Sequence, residues 1–214
     1  MYRILKILFF AIVVRPLVLI GLGLNIVNRR ALPKHGPAVI AANHNSHLDT
    51  IVLMSLFPLK QIHRVRPVAA ADYFLSNRWI AWFSLNIMGI IPLDRSGGAD
   101  LDILFETCRE ALERNEIVIL FPEGTRGEPE QMGRVRKGIC HLLKEREHVP
   151  VVPVVMHGLG RALPRGEALF VPFNCDVVVG EPTHVRGRSS AFVKQLCETY
   201  DELFKQCLTR TAEI

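Results

Sequence analysis

Short apolar runs recur along this chain, and longer stretches with helical spacing lie between them. The runs fall at 38–42, 67–70, 90–93, 117–121, 151–156 and 168–179, and the helical patterns at 50–57, 72–88 with a break, 99–114, 136–146 and 188–209. A short apolar run bounded by polar residues reads as a buried strand. Strands that alternate with helices predict an α/β domain with a largely parallel central sheet flanked by helices. The last run is long enough for an antiparallel excursion or an edge pair. In 188–209, Phe192, Val193, Leu196, Tyr200, Leu203, Phe204 and Leu208 share one face, which predicts a docking stripe on the sheet. With 214 residues, 49% of them hydrophobic, the chain can form one such domain and an appendage.

The appendage is the N-terminus. From Ile7 to Val27 the chain is almost wholly apolar, interrupted only at Arg15-Pro16. One spanning helix would place Arg15 near mid-bilayer, which costs about 2.5–3.5 kcal/mol on insertion scales. Proline also breaks the backbone ladder. The expectation is an apolar two-helix hairpin, 3–14 and 17–28, lying in one leaflet with Arg3, Lys6, Arg15, Arg29 and Arg30 near the headgroups. A buried core hairpin is the alternative. A signal peptide is not expected, because no small-x-small cleavage site follows. The division of the chain is then a membrane-associated segment, 1–30, and a single α/β domain, 31–214.

The net charge is +5 and the isoelectric point about 9.1, so an anionic partner is expected: a membrane surface or a phosphorylated substrate. Nucleic acid is not expected, since the basic residues are scattered and no binding motif is present. Cysteines stand at 108, 140, 175, 197 and 207, an odd number with no C-x-x-C pair, which fits buried thiols in a reducing compartment. The histidines at 35, 63, 141, 148, 157 and 184 lack ligand-like clustering, so no metal is expected.

Chemistry concentrates at the ends of the apolar runs. His44 stands five residues before Asp49, where the run 38–42 gives way to a helix that Asp49 can cap. Ligands collect at such strand ends in α/β sheets. A carboxylate fixes an imidazole's tautomer and stabilises its protonated form, so the pair can act as a general base, although a cap or turn would use the same residues. His47 is a rival imidazole. After the run 117–121 come Glu123, Gly124, Thr125 and Arg126: a glycine that lets backbone approach a ligand, a hydroxyl, and a guanidinium that grips an oxyanion. Arg134, Arg136 and Lys137 precede a helix start at Gly138, which suits phosphate, or else they are solvated charges on a turn. Gly89 through Arg95 is another apolar run ending in a charged pair, Asp94-Arg95.

In this order the blocks resemble the 1-acyl-glycerol-3-phosphate acyltransferase family of glycerolipid acyltransferases. His44-x4-Asp49, Gly89 to Arg95, Phe121-Pro-Glu-Gly-Thr-Arg126 and Val149 to Val154 match its four motifs, and the apolar N-terminus looks like its membrane anchor. One departure is Gly127, where the family often has serine. The resemblance implies transfer of an acyl chain from a thioester, on coenzyme A or acyl carrier protein, to the sn-2 hydroxyl of lysophosphatidic acid. His44 would be the base and Asp49 its partner. Arg95, Gly124, Thr125 and Arg126, with Lys137 behind them, would hold the phosphate, while Glu123, counted in the same headgroup loop, would brace it. No bound cofactor is implied. The place of action would be the cytoplasmic face of the inner membrane. Other lysolipid acceptors, or a non-catalytic lipid-binding protein of the same fold, are the alternatives. Trp79, Trp82 and Phe83 fit either an interfacial patch or a core.

Overall fold

Ala38–Ala42 is apolar at every position, a composition that suits a strand covered on both faces. A computed structural model of the chain describes residues 2–46, 48–74, 77–94, 100–125, 127, 131–162 and 174–211, and in it Ala38–Ala42 is a fully buried strand. The strands, in chain order, are β1 (Gly23–Val27), β2 (Ala38–Ala42), β3 (Val65–Ala70), β4 (Ile91–Leu93), β5 (Ile117–Leu120), β6 (Val151–His157) and β7 (Asn174–Val179). They form one sheet in the order β1-β7-β6-β2-β5-β3-β4. Every pairing is parallel except β6 with β7, so the expected antiparallel excursion is present in the described part of 168–179.

Strand side chains alternate between two cores, as the period of two requires. Ile40, Ile119, Val152 and Val154 enter one; Val39, Val118, Val151 and Val155 enter the other. The first core is closed by helix Leu48–Ser55 and by the N-terminal helix, and the second by helices Glu106–Glu113, Gly138–Leu142 and Ser189–Phe204. The predicted stripe on the last of these is buried through Phe192, Leu196, Tyr200, Leu203 and Phe204, and the Tyr200 hydroxyl donates to the Ala41 carbonyl at 3.0 Å. Pro153 sits in the middle of the sheet where its missing N–H is harmless. The ladder to β7 starts only at Val154↔Val179, while Val151 pairs with Thr183 and the Pro153 carbonyl takes the Gly180 N–H.

The N-terminus corrects the two-helix expectation. A single helix runs from Tyr2 to Gly21 through Arg15-Pro16. Phe10–Val14 takes π geometry just ahead of the α segment that starts at Arg15, which opens the ladder where the Pro16 ring would meet the carbonyl four residues back. The second helix expected over 17–28 does not form. The backbone turns extended at Leu22 and Gly23–Val27 becomes edge strand β1, so the sheet begins inside the segment 1–30. Alternation of Leu24 and Ile26 with Asn25, after two glycines, was the available signal.

Three of the basic residues expected at headgroups hold the fold together instead. Lys6 is buried, and its Nζ donates to the carbonyls of Val65 (3.1 Å) and Met88 (2.9 Å). Burial, and then the neighbouring Arg66 charge, push its ammonium down to about 7. Arg15 donates to the Phe57 carbonyl at 3.0 Å and Arg29 to that of Leu56 at 2.7 Å. Both guanidinium groups thereby meet carbonyls just past the C-terminal end of helix Leu48–Ser55, where cations are favoured.

The sheet's far edge is locked by one buried carboxylate. Asp176 on β7 accepts from Asn25 Nδ2 at 2.7 Å, from the Thr209 N–H at 2.7 Å and from the Thr209 hydroxyl at 2.6 Å. His157 Nδ1 lies 2.7 Å from the same hydroxyl. Asp176→Ala strands these donors and is expected to lower the unfolding free energy by about 3 kcal/mol, read from urea denaturation.

Candidate active site

β2 and β5 are neighbours and parallel, so the segments that leave their C-terminal ends meet above the sheet. Past β2, Asn43 is fully buried and makes a reciprocal pair with Met156 of β6: its Nδ2 donates to the Met156 carbonyl at 2.9 Å, and its Oδ1 accepts the Met156 N–H at 2.7 Å. Asn45 Nδ2 adds a bond to the same carbonyl at 3.0 Å. The residue between them, His44, is thus held on both sides.

Asp49, in the first turn of helix Leu48–Ser55, is fully buried. Its Oδ2 lies 2.9 Å from His44 Nδ1 and also accepts the N–H groups of Asn45 (2.6 Å) and Ser46 (2.8 Å). The Ser46 hydroxyl accepts from the Leu48 N–H at 3.3 Å, and Asp49, expected as a cap, folds back on the loop instead. An ionised carboxylate only accepts, so Nδ1 carries the proton and Nε2 keeps its lone pair. The imidazole stacks on Phe121, with centroids 4.1 Å apart and planes at 18°, and its side chain is 21% exposed. Among the described residues Nε2 has no partner. A fixed tautomer with the basic nitrogen facing an open side can take a proton from a bound hydroxyl.

The loop after β5 is built around Glu123. It is buried, with Oε1 accepting the His44 N–H at 2.8 Å and Oε2 the Gly133 N–H at 2.7 Å. Desolvation pushes its carboxyl up, against the pull of these two N–H groups. Gly127 N–H returns to the His44 carbonyl at 3.1 Å. Gly127 and Gly133 leave room for the carboxylate: a Cβ at 127 would lie 3.2 Å from Glu123 Oε2 and 3.2 Å from the Gln131 carbonyl, and one at 133 would meet the carboxyl group. A side chain at 127 would thus need the carboxylate and the Gln131 carbonyl to give by a few tenths of an ångström. Glu123 thus braces the loop, with backbone N–H groups on both of its oxygens.

Comparison with known proteins shows the family and the fold. Residues 23–157 match the family model described as Acyltransferase. The chain belongs to the acyltransferase family. It is 31% identical over 75% of its length to the chloroplastic 1-acyl-sn-glycerol-3-phosphate acyltransferase LPAT1 of Arabidopsis thaliana, of which the match covers 44%. It is 30% identical over 76% of its length to the 1-acyl-sn-glycerol-3-phosphate acyltransferase of Bacillus subtilis, covering 74% of that protein. The chain spans about two-fifths of the plant relatives it matches. Its fold is that of the crystal structure of PlsC, the 1-acyl-sn-glycerophosphate (LPA) acyltransferase from Thermotoga maritima, with a TM-score of 0.72 over 96% of this chain and 80% of that one at 18% identity.

In this chain, His44, Asp49, Glu123 and Gly124 are brought together. Arg95, Arg126 and the rival His47 lie outside the described residues. Thr125 is exposed on the loop. Lys137 is exposed at the start of helix Gly138–Leu142, and among the described residues its side chain has no hydrogen bond or ion pair. Also among the described residues, no group of three or more His, Cys, Asp and Glu is placed to hold a metal ion. Sequence reasoning missed the clamp of Asn43 and Asn45; the signal was two amides directly after a strand with no exposed position. Glu123→Gln keeps the size of the brace but leaves only one acceptor oxygen. Displacement of His44 by this loss is expected to lower kcat on the order of 100-fold, with the circular dichroism spectrum unchanged.

Proposed function

We propose that this acyltransferase moves a fatty acyl chain from a thioester to the sn-2 hydroxyl of lysophosphatidic acid, giving phosphatidic acid for phospholipid synthesis. The observation that carries the proposal is the Asp49–His44 pair, whose hydrogen bonds leave Nε2 as the base beside the Glu123–Gly127 loop. His44 Nε2 takes the hydroxyl proton as the oxygen attacks the thioester carbonyl carbon. A C–O bond forms, the carbonyl electrons move onto oxygen, and their return expels sulfur. The imidazolium then gives its proton to the thiolate, so the products are an ester and a free thiol. Asp49 faces the imidazolium while it exists, and general-base help of this kind is worth about 10²–10⁴-fold. The donor is the thioester of coenzyme A or acyl carrier protein, a co-substrate in a reaction that uses no resident cofactor. Arg95 and Arg126, with Gly124 and Thr125, take the acceptor's phosphate, a role drawn from the family motifs.

The lipid arrives from a membrane against which the N-terminal helix lies. That helix is long and apolar enough to span, yet one side is spent on the protein: Phe10, Val14 and Val18 are buried in the first core and Lys6 is bonded to the domain. The other side exposes Ile4, Leu8, Ile12, Leu19 and Ile20, the last by 85%. Helix Arg78–Phe83 extends this surface with Trp79, 80% exposed, and Trp82, whose ring meets Tyr2 edge-on at 5.9 Å. Apolar faces of this size suit a monotopic helix in one leaflet. We place it on the cytoplasmic side of the inner membrane, where acyl thioesters are made.

The test offers purified protein a panel of lysolipids with both thioester donors, the products being identified by mass. Lysophosphatidic acid is expected to be the best acceptor. His44→Ala should abolish transfer and His47→Ala should leave most of it; the reverse would move the base. Ile12→Glu with Ile20→Glu is expected to release the protein from liposomes in a flotation assay while a soluble short-chain acceptor is still acylated.

A further inference from the structure

We infer that Arg136 is a ligand for the acceptor's phosphate, an inference that rests on the acyl-transfer reading above. Gly124 has φ +79°, in the region that favours glycine. The position of its absent Cβ lies 3.3 Å from both Cδ and Nε of Arg136 and 3.6 Å from Cζ. The guanidinium end of Arg136 therefore lies against the bare backbone of the loop that Glu123 and Gly127 tie to His44. A side chain at 124 would push it away.

Three features fix that cation in place and leave it available. The Arg136 N–H donates to the Pro122 carbonyl at 2.9 Å, which pins the base of the side chain to the same loop. Val135 and Ile139 on either side are buried and anchor the segment in the second core. Arg136 itself is exposed, and among the described residues no carboxylate pairs with it. Glu123, the carboxylate of this loop, already has both oxygens on backbone N–H groups.

A guanidinium held against the loop that braces His44, and paired with no carboxylate among the described residues, matches one feature of the acceptor. The reacting hydroxyl and the phosphate of lysophosphatidic acid are on adjacent carbons of glycerol. Whatever binds the phosphate must therefore stand next to the group that takes the hydroxyl proton. Arg136 lies against the loop whose Glu123 takes the His44 N–H, and it offers a planar fork of donors suited to phosphate oxygens. Lys137, the weaker candidate from the family motifs, has no such fixed contact among the described residues.

Steady-state kinetics of Arg136→Gln and Arg136→Lys test this. The glutamine variant is expected to raise KM for lysophosphatidic acid roughly 10- to 100-fold, the range for one charge-assisted hydrogen bond, with kcat changed little. The lysine variant should recover much of the loss. KM for acyl-CoA should not move, and on phosphate-free monoacylglycerol the variants should match wild type. Both variants should melt at the wild-type temperature. A KM rise confined to acyl-CoA, an equal loss on both acceptors, or a fall in kcat that lysine does not relieve each overturns the assignment. An unchanged KM in an enzyme that does acylate lysophosphatidic acid counts against Arg136 alone. Wild type that fails to acylate it overturns the functional reading, and this inference with it.

Discussion

A parallel sheet has to be covered on both faces, and here one of the covers is a helix that is apolar on both of its own sides. Strand β2 has no exposed residue, and its Ala38, Ile40 and Ala42 face the core that the N-terminal helix helps to close. The helix supplies Phe10, Val14, Val18 and, at its end, Leu22, four residues apart along one stripe. Its remaining surface is still apolar and faces outward. Water is a poor solvent for that surface, and a bilayer is a good one. The same segment thus completes the core and offers the apolar face proposed above to meet lipid. Burial of Lys6, with two carbonyl partners, ties the helix to the domain.

Much of this was legible in the sequence where local pattern and tertiary burial agree. β2, β5 and β6 lie where their apolar runs predict, since strands buried on both faces need apolar residues throughout. The His44–Asp49 pair was legible because the carboxylate and imidazole are only five residues apart and a strand end brings them together. The single N-terminal helix was not, because Arg15-Pro16 looked like a break. A π turn and a carbonyl beyond the end of another helix accommodate both residues, and neither can be seen locally. Lys6 misled for the same reason: a lone cation on an apolar helix reads as a headgroup anchor until its distant partners, Val65 and Met88, are known.

The site also shows how much backbone is organised by few carboxylates. Asp49 gathers two N–H groups and an imidazole on one oxygen, and Glu123 joins the His44 N–H to that of Gly133. The two act on opposite ends of one residue. Asp49 sets the tautomer of the His44 ring, while Glu123 and the Gly127 N–H hold its peptide groups. The position of His44 and the tautomer of its ring are thereby fixed independently.

That division explains why position 123 is an acid when an amide would fill the same space. An amide has one acceptor oxygen, whereas the brace needs two. The charge has a second consequence. Burial raises the Glu123 carboxyl, against the pull of its two backbone N–H bonds and of the His44 charge. As pH falls through the raised Glu123 value, the carboxylate gains a proton. One oxygen then becomes a donor facing a donor, and the brace is lost. Acid should therefore loosen the backbone of His44 through Glu123, and the buried carboxylate sets part of the lower limit of pH at which the proposed reaction can run.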